Sequence, residues 1–143
     1  MEVPGPWSAR EFADLLASPG VFLAVPAPER RAPRGQDSEA TTRHFHGFAL
    51  GRVAADEAEL LTVAVDPGHR RQGIGLACCA AFESEAGSRG AARAFLEVAA
   101  TNDAARRLYL ASGWIKDGRR QAYCRTPAGR VDAILMSKWL ARS

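Results

Sequence analysis

A glycine-containing segment between an apolar run and a helix is the part of the sequence best suited to chemistry. It spans Asp66 to Gly75 and directly follows the run that ends at Val65. A helix N-terminus presents unpaired N–H groups and a partial positive charge, and glycine lets an anion approach the backbone closely. Arg70 and Arg71 add positive charge. The segment predicts a site for an anionic group such as a pyrophosphate, although glycines that simply form a turn are the plainer interpretation.

Two other nucleotide-binding loops fit this segment less well. The P-loop pattern G-x-x-x-x-G-K-[ST] does not occur in the chain. Residues Gly73–Cys78 approach the dinucleotide fingerprint G-x-G-x-x-G/A, with Glu97 at about the right distance beyond it. However, seven residues separate Val65 from Gly73, whereas that fold turns directly from strand to helix. The short chain and its flanking strands also leave no room for a doubly wound sheet.

Histidines and cysteines elsewhere are weaker candidates. His44 and His46 lie two residues apart on a predicted strand and would share a face, as metal ligands can. No acidic or cysteine residue joins them at a useful spacing, so an ordinary strand pair is favoured and no metal is expected. Cys78 and Cys79 lie inside a predicted helix, where small core residues are the simpler interpretation, and Cys124 is expected in a sheet.

These residues must be positioned by alternating helices and strands. Ser8 and Glu11 have the spacing of a capping box at a helix start, and Trp7 stands at a hydrophobic-staple position. The predicted elements are a helix from Ser8 that Pro19 and Gly20 end, strands Val21–Val25 and His44–Val53 around a polar loop Pro26–Arg43, strand Ala58–Val65, helix Ile74–Arg89, strand Ala94–Ala99, helix Ala104–Ser112, and strands Trp114–Arg125 and Val131–Trp139 joined by a hairpin turn. This order predicts one α+β domain over residues 1–143.

Composition places the chain among globular proteins. Its 143 residues, 47 % hydrophobic and 24 % charged, suffice for one core. The net charge of +3 suits an anionic ligand and does not by itself argue for nucleic acid. No apolar run approaches the ~20 residues of a membrane span, and the first residues lack the basic and apolar regions of a signal peptide. We therefore expect a cytoplasmic protein with no membrane or nucleic-acid partner, and its three cysteines do not suggest a disulfide framework.

The motifs together resemble the GCN5-related N-acetyltransferases, the GNAT family. In that family a strand ending in V-x-V-x-P precedes [QR]-x-x-G-x-[GA] at a helix start, and here these read Val63–Pro67 and Arg70–Gly75. Within the family the chain is most similar to ribosomal-protein N-terminal alanine acetyltransferases, from about Pro6 to Trp139. The matching segments are Pro6–Ser8, Leu96–Val98, Asn102–Ala105, Leu108-Tyr109, Ser112–Trp114, Arg119–Tyr123 and Asp132–Met136.

The resemblance implies a three-layer α/β fold of the GNAT type. Its sheet is mixed and mostly antiparallel, its two central strands splay apart, and helices cover both faces. Only six residues precede Trp7, so the strand–helix unit that members usually carry there is expected to be truncated. An uncovered sheet edge could then pair with a second copy, which would give a homodimer. The loop Pro26–Arg43 is expected to be mobile and near the acceptor side.

For acetyl-CoA, the resemblance implies a site lined mainly by backbone. The strand before the glycine segment would pair with the pantetheine arm, the glycine segment would cradle the pyrophosphate, and an asparagine would contact the thiol end of the arm. The implied cofactor-binding residues are Val63, Ala64, Val65, Arg70, Arg71, Gln72, Gly73, Ile74, Gly75, Leu76 and Asn102.

For catalysis, the resemblance assigns Glu97 as general base and Tyr109 as general acid. Acetyl transfer to an amine needs a neutral amine, stabilisation of an oxyanion and a proton for the leaving thiolate. Glu97 interrupts an apolar strand, and Tyr109 lies on the next helix. Their plainer interpretations are a strand-face residue and a half-buried helix tyrosine. A thiol near a helix N-terminus can be acidic, so an acetyl-cysteine intermediate at Cys78 or Cys79 is a further, less favoured, hypothesis.

The implied function is acetyl-CoA-dependent acetylation of a protein N-terminal α-amine, in a ribosomal protein, by direct attack in a ternary complex. Two alternatives remain at this point. One is acetylation of a small-molecule amine. The other is a catalytically weak module that binds acyl-CoA, against which the retained Glu97 and Tyr109 argue.

Overall fold

The computed structural model describes residues 8–26, 46–69 and 73–140. Three α-helices and six strands lie within these ranges, in the predicted order. Their bounds are α1 Ala9–Leu16, β1 Val21–Ala24, β2 Gly47–Ala54, β3 Glu57–Val65, α2 Ile74–Ser88, β4 Arg93–Ala99, α3 Asp103–Ala111, β5 Ile115–Thr126 and β6 Gly129–Trp139. A short 3-10 turn, Pro67–His69, follows β3. The predicted staple at Trp7 and nearly all of the predicted loop Pro26–Arg43 lie outside the described residues.

The six strands form one sheet in the order β1-β2-β3-β4-β6-β5. All neighbours are antiparallel except the central pair, β3 and β4, which is parallel. A parallel pair needs a crossover connection, and α2 provides it between β3 and β4. The prediction of a mixed, mostly antiparallel sheet is confirmed.

Helices lie on both faces of the sheet, as predicted. Helix α2 buries Cys78, Cys79 and Phe82 in the same core cluster as Tyr109 of α3. Helix α1 lies on the other face, because its Phe12 ring is 6.0 Å from the ring of Phe48, which alternates along β2 with residues that face α2. One sheet face is therefore packed under two helices, and the other carries α1 on its β1–β2 side.

Local capping signals predict the helix ends well. Ser8 and Glu11 form both hydrogen bonds of the capping box, Glu11 N to Ser8 Oγ at 3.1 Å and Ser8 N to Glu11 Oε1 at 2.8 Å. Gly90 and Gly113 follow α2 and α3 at φ values of +98°, the left-handed conformation in which helices commonly end. These ends depend on contacts between residues that are close in sequence.

Three sequence expectations need correction. His46 precedes β2 rather than lying in it, so the predicted strand pair with His44 is wrong, and His44 lies outside the described residues. The apolar spacing along α2 predicts a single buried stripe that includes Ala77, but Ala77 is exposed and Cys79, outside that stripe, is buried. Cys79 is buried because α3 covers a second side of α2. The sequence predicts the hairpin turn at Thr126–Gly129, but the turn shortens to Pro127 and Ala128, since pairing continues through Thr126 and Gly129.

Candidate active site

The central strands β3 and β4 separate towards one end and open a gap in the sheet. Their pairing consists of three residue pairs, the last being Glu59 with Phe95. Beyond it, β3 stays paired with β2 as far as Val65, while its other edge has no partner strand among the described residues. The predicted splayed pair is therefore present, and Val63–Val65 present one backbone edge to the gap.

A register irregularity accounts for the separation. Leu50 pairs with Thr62, but the next residue, Gly51, pairs with Leu60, so β3 carries one extra residue at that level. Bulges bend a strand and increase its twist. This bulge follows the last β3–β4 pair, so β3 bends at the level where the gap begins.

The N-terminus of α2 lies at the same end of the sheet as the gap. Gly73 is its N-cap, with φ +78° and no side-chain cap, and the first helical hydrogen bond runs from Ala77 N to Gly73 O at 3.1 Å. The N–H groups of residues 73–76 consequently have no partner within the helix, and its first turn has no acidic residue. This end of the helix can bind an anion. Three predicted members of the site, Arg70, Arg71 and Gln72, lie outside the described residues.

Gly75 also serves helix packing. A Cβ atom at this position would lie 3.2 and 3.3 Å from the two δ-carbons of Leu108 in α3. Glycine thus lets α3 approach the first turn of α2. Ile74 packs against the core, whereas Leu76 is exposed, so the first turn of α2 is fixed on one side and open on the other.

Glu97 lies on β4 two residues beyond the last pair with β3. Its neighbours Leu96 and Val98 are buried in the core under α2 and α3, so Glu97 faces the opposite side of the sheet. Its side chain is 33 % exposed, and its Oε1 lies 3.6 Å from Nη2 of Arg120. A half-exposed pair at this distance is screened by water and adds little stability, which leaves the carboxylate accessible for chemistry.

Tyr109 lies on the other side of the sheet, in α3. It is buried, and its ring centroid is 6.2 Å from that of Trp114. Burial, with a smaller contribution from the neighbouring Cys79, raises the pKa of the Tyr109 hydroxyl well above its usual value. The hydroxyl therefore keeps its proton throughout the neutral range. No hydrogen bond, ion pair or ring contact joins Tyr109 to Glu97 in the described part of the chain, and the two lie on opposite faces of the sheet.

Asn102 connects the end of β4 to α3. Its Oδ1 accepts a hydrogen bond from Ala105 N at 3.2 Å and so caps the helix. The cap occupies the carbonyl oxygen, and the amide NH₂ group is left to donate to a ligand. Asn102 can therefore cap α3 and make the predicted contact with the cofactor at the same time.

The cysteines in α2 are poor nucleophiles. Cys78 and Cys79 are fully buried, and burial is the largest cause that raises the pKa of each thiol to about 11. The reactive form of cysteine is the thiolate, which is scarce at neutral pH when the pKa is that high. This favours the interpretation of both residues as core residues.

Sequence reasoning missed the surroundings of Glu97. Arg120 stacks 4.6 Å from the ring centroid of Tyr123 on β5, and Glu97 also raises the pKa of the nearby Cys124 thiol, after the effect of burial. Arg120 and Tyr123 lie in the segment Arg119–Tyr123, which resembles the family, but the sequence analysis assigns no role to either residue. Their proximity to Glu97 depends on the pairing of both β5 and β4 with β6. The hairpin turn predicts the first of these pairings, but no local signal in the sequence marks the second.

Neither a metal-binding cluster nor a membrane-spanning helix is found in the described ranges. Within residues 8–26, 46–69 and 73–140, no group of three or more histidine, cysteine or acidic residues could hold a metal ion. None of the three helices in this part of the chain is long and apolar enough to cross a membrane.

Comparison with known proteins agrees with this arrangement. Residues 34–114 match the family described as acetyltransferase (GNAT) family. The chain is 43 % identical over 90 residues to the ribosomal protein bS18-alanine N-acetyltransferase of Escherichia coli strain K12, which covers 63 % of this chain and 61 % of that protein. It is 33 % identical to the enzyme of the same name from Salmonella typhimurium, over 92 % of this chain and 80 % of that protein.

A solved structure shows the same fold over nearly the whole chain. The crystal structure of the ribosomal-protein-S18-alanine N-acetyltransferase from Escherichia coli superposes with a TM-score of 0.69 at 32 % identity, covering 97 % of this chain and 81 % of that one. The family match agrees with two features of the structure, the splayed strands and the start of α2, which has no side-chain cap. The chain belongs to the GNAT family of acetyltransferases.

Proposed function

We propose that this protein transfers the acetyl group of acetyl-CoA to the N-terminal α-amine of a ribosomal protein. The observation that carries the proposal is the position of Glu97 and Tyr109 on opposite faces of the sheet, beside a gap that ends at the N-terminus of α2. The names of the Escherichia coli and Salmonella relatives, which act on ribosomal protein bS18, support the choice of acceptor.

Acetyl-CoA fits the gap and the helix start as one extended ligand. The amides of its pantetheine arm can bind to the open edge of Val63–Val65 as an added strand would. Its pyrophosphate can then bind to the N–H groups of residues 73–76, where the helix dipole favours negative charge. In this proposal the NH₂ group of Asn102 contacts the arm near the thioester.

The reaction we propose is direct attack without an acyl-enzyme. The neutral amine nitrogen forms a bond to the thioester carbon, and the tetrahedral intermediate collapses with cleavage of the C–S bond. Glu97 accepts the proton lost by the amine, through a water molecule, and Tyr109 donates to the departing thiolate of CoA. Base and acid on opposite faces let the amine enter from one side while the proton donor acts from the other.

The glycine at the helix start provides a direct test of the cofactor site. Gly73→Ala is expected to lower acetyl-CoA affinity at least about tenfold, or about 1.4 kcal/mol, because it disturbs the backbone that binds the pyrophosphate. A Cβ there meets no described atom within 4 Å, so the fold should bear only the strain of alanine at positive φ, about 1–2 kcal/mol. Isothermal titration calorimetry with acetyl-CoA measures the effect.

Gly90→Ala is the matched control for that experiment. Gly90 also has positive φ and no neighbour within 4 Å, but it lies at the other end of α2. The two variants should lose similar thermal stability, and only Gly73→Ala should lose affinity. Equal acetyl-CoA affinity in the two variants would remove the start of α2 from the site.

An α-amine is a better acceptor for this site than a lysine side chain. In unstructured peptides the pKa is ~7.7–8.0 for an α-amine and ~10.4 for a lysine side chain. The difference of ~2.5 units corresponds to ~3.4 kcal/mol of deprotonation that the enzyme need not supply. Glu97 is an accessible carboxylate, a weak base that suits the more acidic ammonium group.

The choice of amine can be measured with paired peptides. A peptide with a free N-terminal alanine should be acetylated on its α-amine, whereas a twin with a blocked N-terminus and a lysine should react slowly or not at all. Mass spectrometry of the products identifies the modified nitrogen. Faster acetylation of the blocked twin would instead make the protein a lysine acetyltransferase.

A further inference from the structure

A bulge of three residues in β5 lies next to Glu97. Arg120 pairs with Ala133 and Cys124 pairs with Val131, so three residues of β5 stand opposite the single residue Asp132 of β6. Ala122, in the middle of the bulge, has φ +45°. Left-handed backbone is unfavourable for a residue with a Cβ atom, and strained residues of this kind persist where surrounding contacts determine them.

Asp132 supplies those contacts with both carboxylate oxygens. Its Oδ1 accepts a hydrogen bond from Ala122 N at 2.8 Å, and its Oδ2 accepts one from Arg119 Nε at 2.5 Å. The Ala122 N–H is the larger cause, and Arg119 the next, of a pKa of Asp132 below its usual value. The carboxylate is consequently charged throughout the neutral range and binds two points of β5 at once.

The bulge brings polar and aromatic side chains to the accessible side of Glu97. Arg120 places Nη2 3.6 Å from Glu97 Oε1 and stacks on the ring of Tyr123 at 4.6 Å. Tyr123 is 51 % exposed, so its packing against the core does not explain the bulge. Bulges next to active sites commonly re-aim a side chain, and this one carries Arg120 to the accessible side of Glu97, with Tyr123 stacked against it.

We infer that Asp132 is a positioning residue, which fixes the β5 bulge so that Arg120 and Tyr123 hold the first residues of the acceptor peptide beside Glu97. The inference rests on the proposed function. Arg120 can donate hydrogen bonds to peptide carbonyls while its stacked partner, Tyr123, contacts the first side chain. The cofactor contacts proposed for β3 and α2 lie elsewhere in the fold, so loss of Asp132 should affect the acceptor and spare acetyl-CoA.

The test compares KM values for the two substrates in three variants. Asp132→Ala removes both contacts and should raise KM for a free-N-terminus peptide at least about tenfold, with KM for acetyl-CoA within about twofold. Asp132→Asn keeps an oxygen for Ala122 N–H and loses the charge opposite Arg119, so its KM for the peptide should lie between those of Asp132→Ala and the wild type. Arg130→Ala, on the same hairpin and opposite Arg125, is the control and should leave both KM values unchanged.

A second measurement tests directly whether Asp132 stabilises the bulge. Hydrogen exchange of the Ala122 amide should be slow in the wild type and fast in Asp132→Ala. Failure of the proposed function shows in the wild type, as absence of peptide acetylation. Failure of the inference shows only in the comparison: an active wild type with an unchanged peptide KM in Asp132→Ala, or with equal rises in both KM values, would overturn it.

Discussion

Replacing Tyr109 with phenylalanine is expected to lower kcat by about 10²–10⁴ while KM for acetyl-CoA changes little. The change removes one hydroxyl and keeps the ring that packs against Trp114 at 6.2 Å between centroids. In the proposed reaction this hydroxyl acts on the sulfur only as the C–S bond breaks. An interaction formed in the transition state, and not in the bound substrate, contributes to kcat rather than to affinity.

The raised pKa of Tyr109 sets the expected pH behaviour of this variant. A thiol in water has a pKa of ~8.5, below the ~10 of an ordinary tyrosine, and burial raises that of Tyr109 further. Complete transfer of its proton is therefore uphill, and a strong hydrogen bond to the developing thiolate is the main contribution. Because the hydroxyl does not ionise in the neutral range, the ratio of wild-type to variant kcat should stay constant between about pH 6 and 9.

Steady-state kinetics with a free-N-terminus peptide measures the effect, and calorimetry with acetyl-CoA shows whether the variant still binds its cofactor. Unchanged affinity with a large loss of kcat supports the assignment. Turnover close to that of the wild type would assign the protonation to another group. If the wild type turned over slowly and neither Tyr109→Phe nor Glu97→Gln lowered its kcat further, the protein would be better described as a weak acyl-CoA-binding module.

Replacing Glu97 with glutamine should lower kcat/KM for the peptide about 100-fold near neutral pH. Glutamine has nearly the same shape, and its amide oxygen can still face Arg120, so the loss reports the charge and basicity of the carboxylate. Below the α-amine pKa of ~7.7–8.0 most acceptor is protonated and a base is needed. Above that pKa free amine is abundant, so the difference between variant and wild type should shrink.

The profile of kcat/KM from about pH 6 to 9.5 distinguishes this role from a structural one. Glu59→Gln is the matched control, since Glu59 is also a strand carboxylate paired with an arginine, Arg52, at 2.6 Å. That exposed pair is expected to contribute no more than about 1 kcal/mol to stability and nothing to the pH profile. A Glu97→Gln defect of the same size at every pH would argue for orientation of the acceptor instead of proton removal.

The elements of this protein could be predicted from sequence where their causes are local. Ser8 and Glu11 start α1 through two hydrogen bonds between residues three apart. Gly90 and Gly113 follow the ends of α2 and α3 because the left-handed conformation there suits glycine. The strand pattern and the motifs around residues 63–75 were likewise sufficient to predict the family and the mixed sheet.

The site was predictable only in part, because its members come together through distant pairings. The sequence motifs predict Glu97 and Tyr109 as base and acid, but their placement on opposite faces follows from the burial of Leu96 and Val98 under α2 and α3. The gap depends on where β3–β4 pairing stops and on the bulge of β3 against β2. No single segment of the chain specifies either feature.

By itself, then, the sequence determined the order of helices and strands, the helix ends, the family and the identity of the candidate base and acid. Tertiary structure alone decided the strand order, the contact of Gly75 with Leu108 and the Asp132-held bulge beside Glu97. The physical reason is the range of the interactions. Caps and periodicity depend on interactions within a few residues. The neighbours of a site depend on strand register and helix packing, which involve segments distant in sequence.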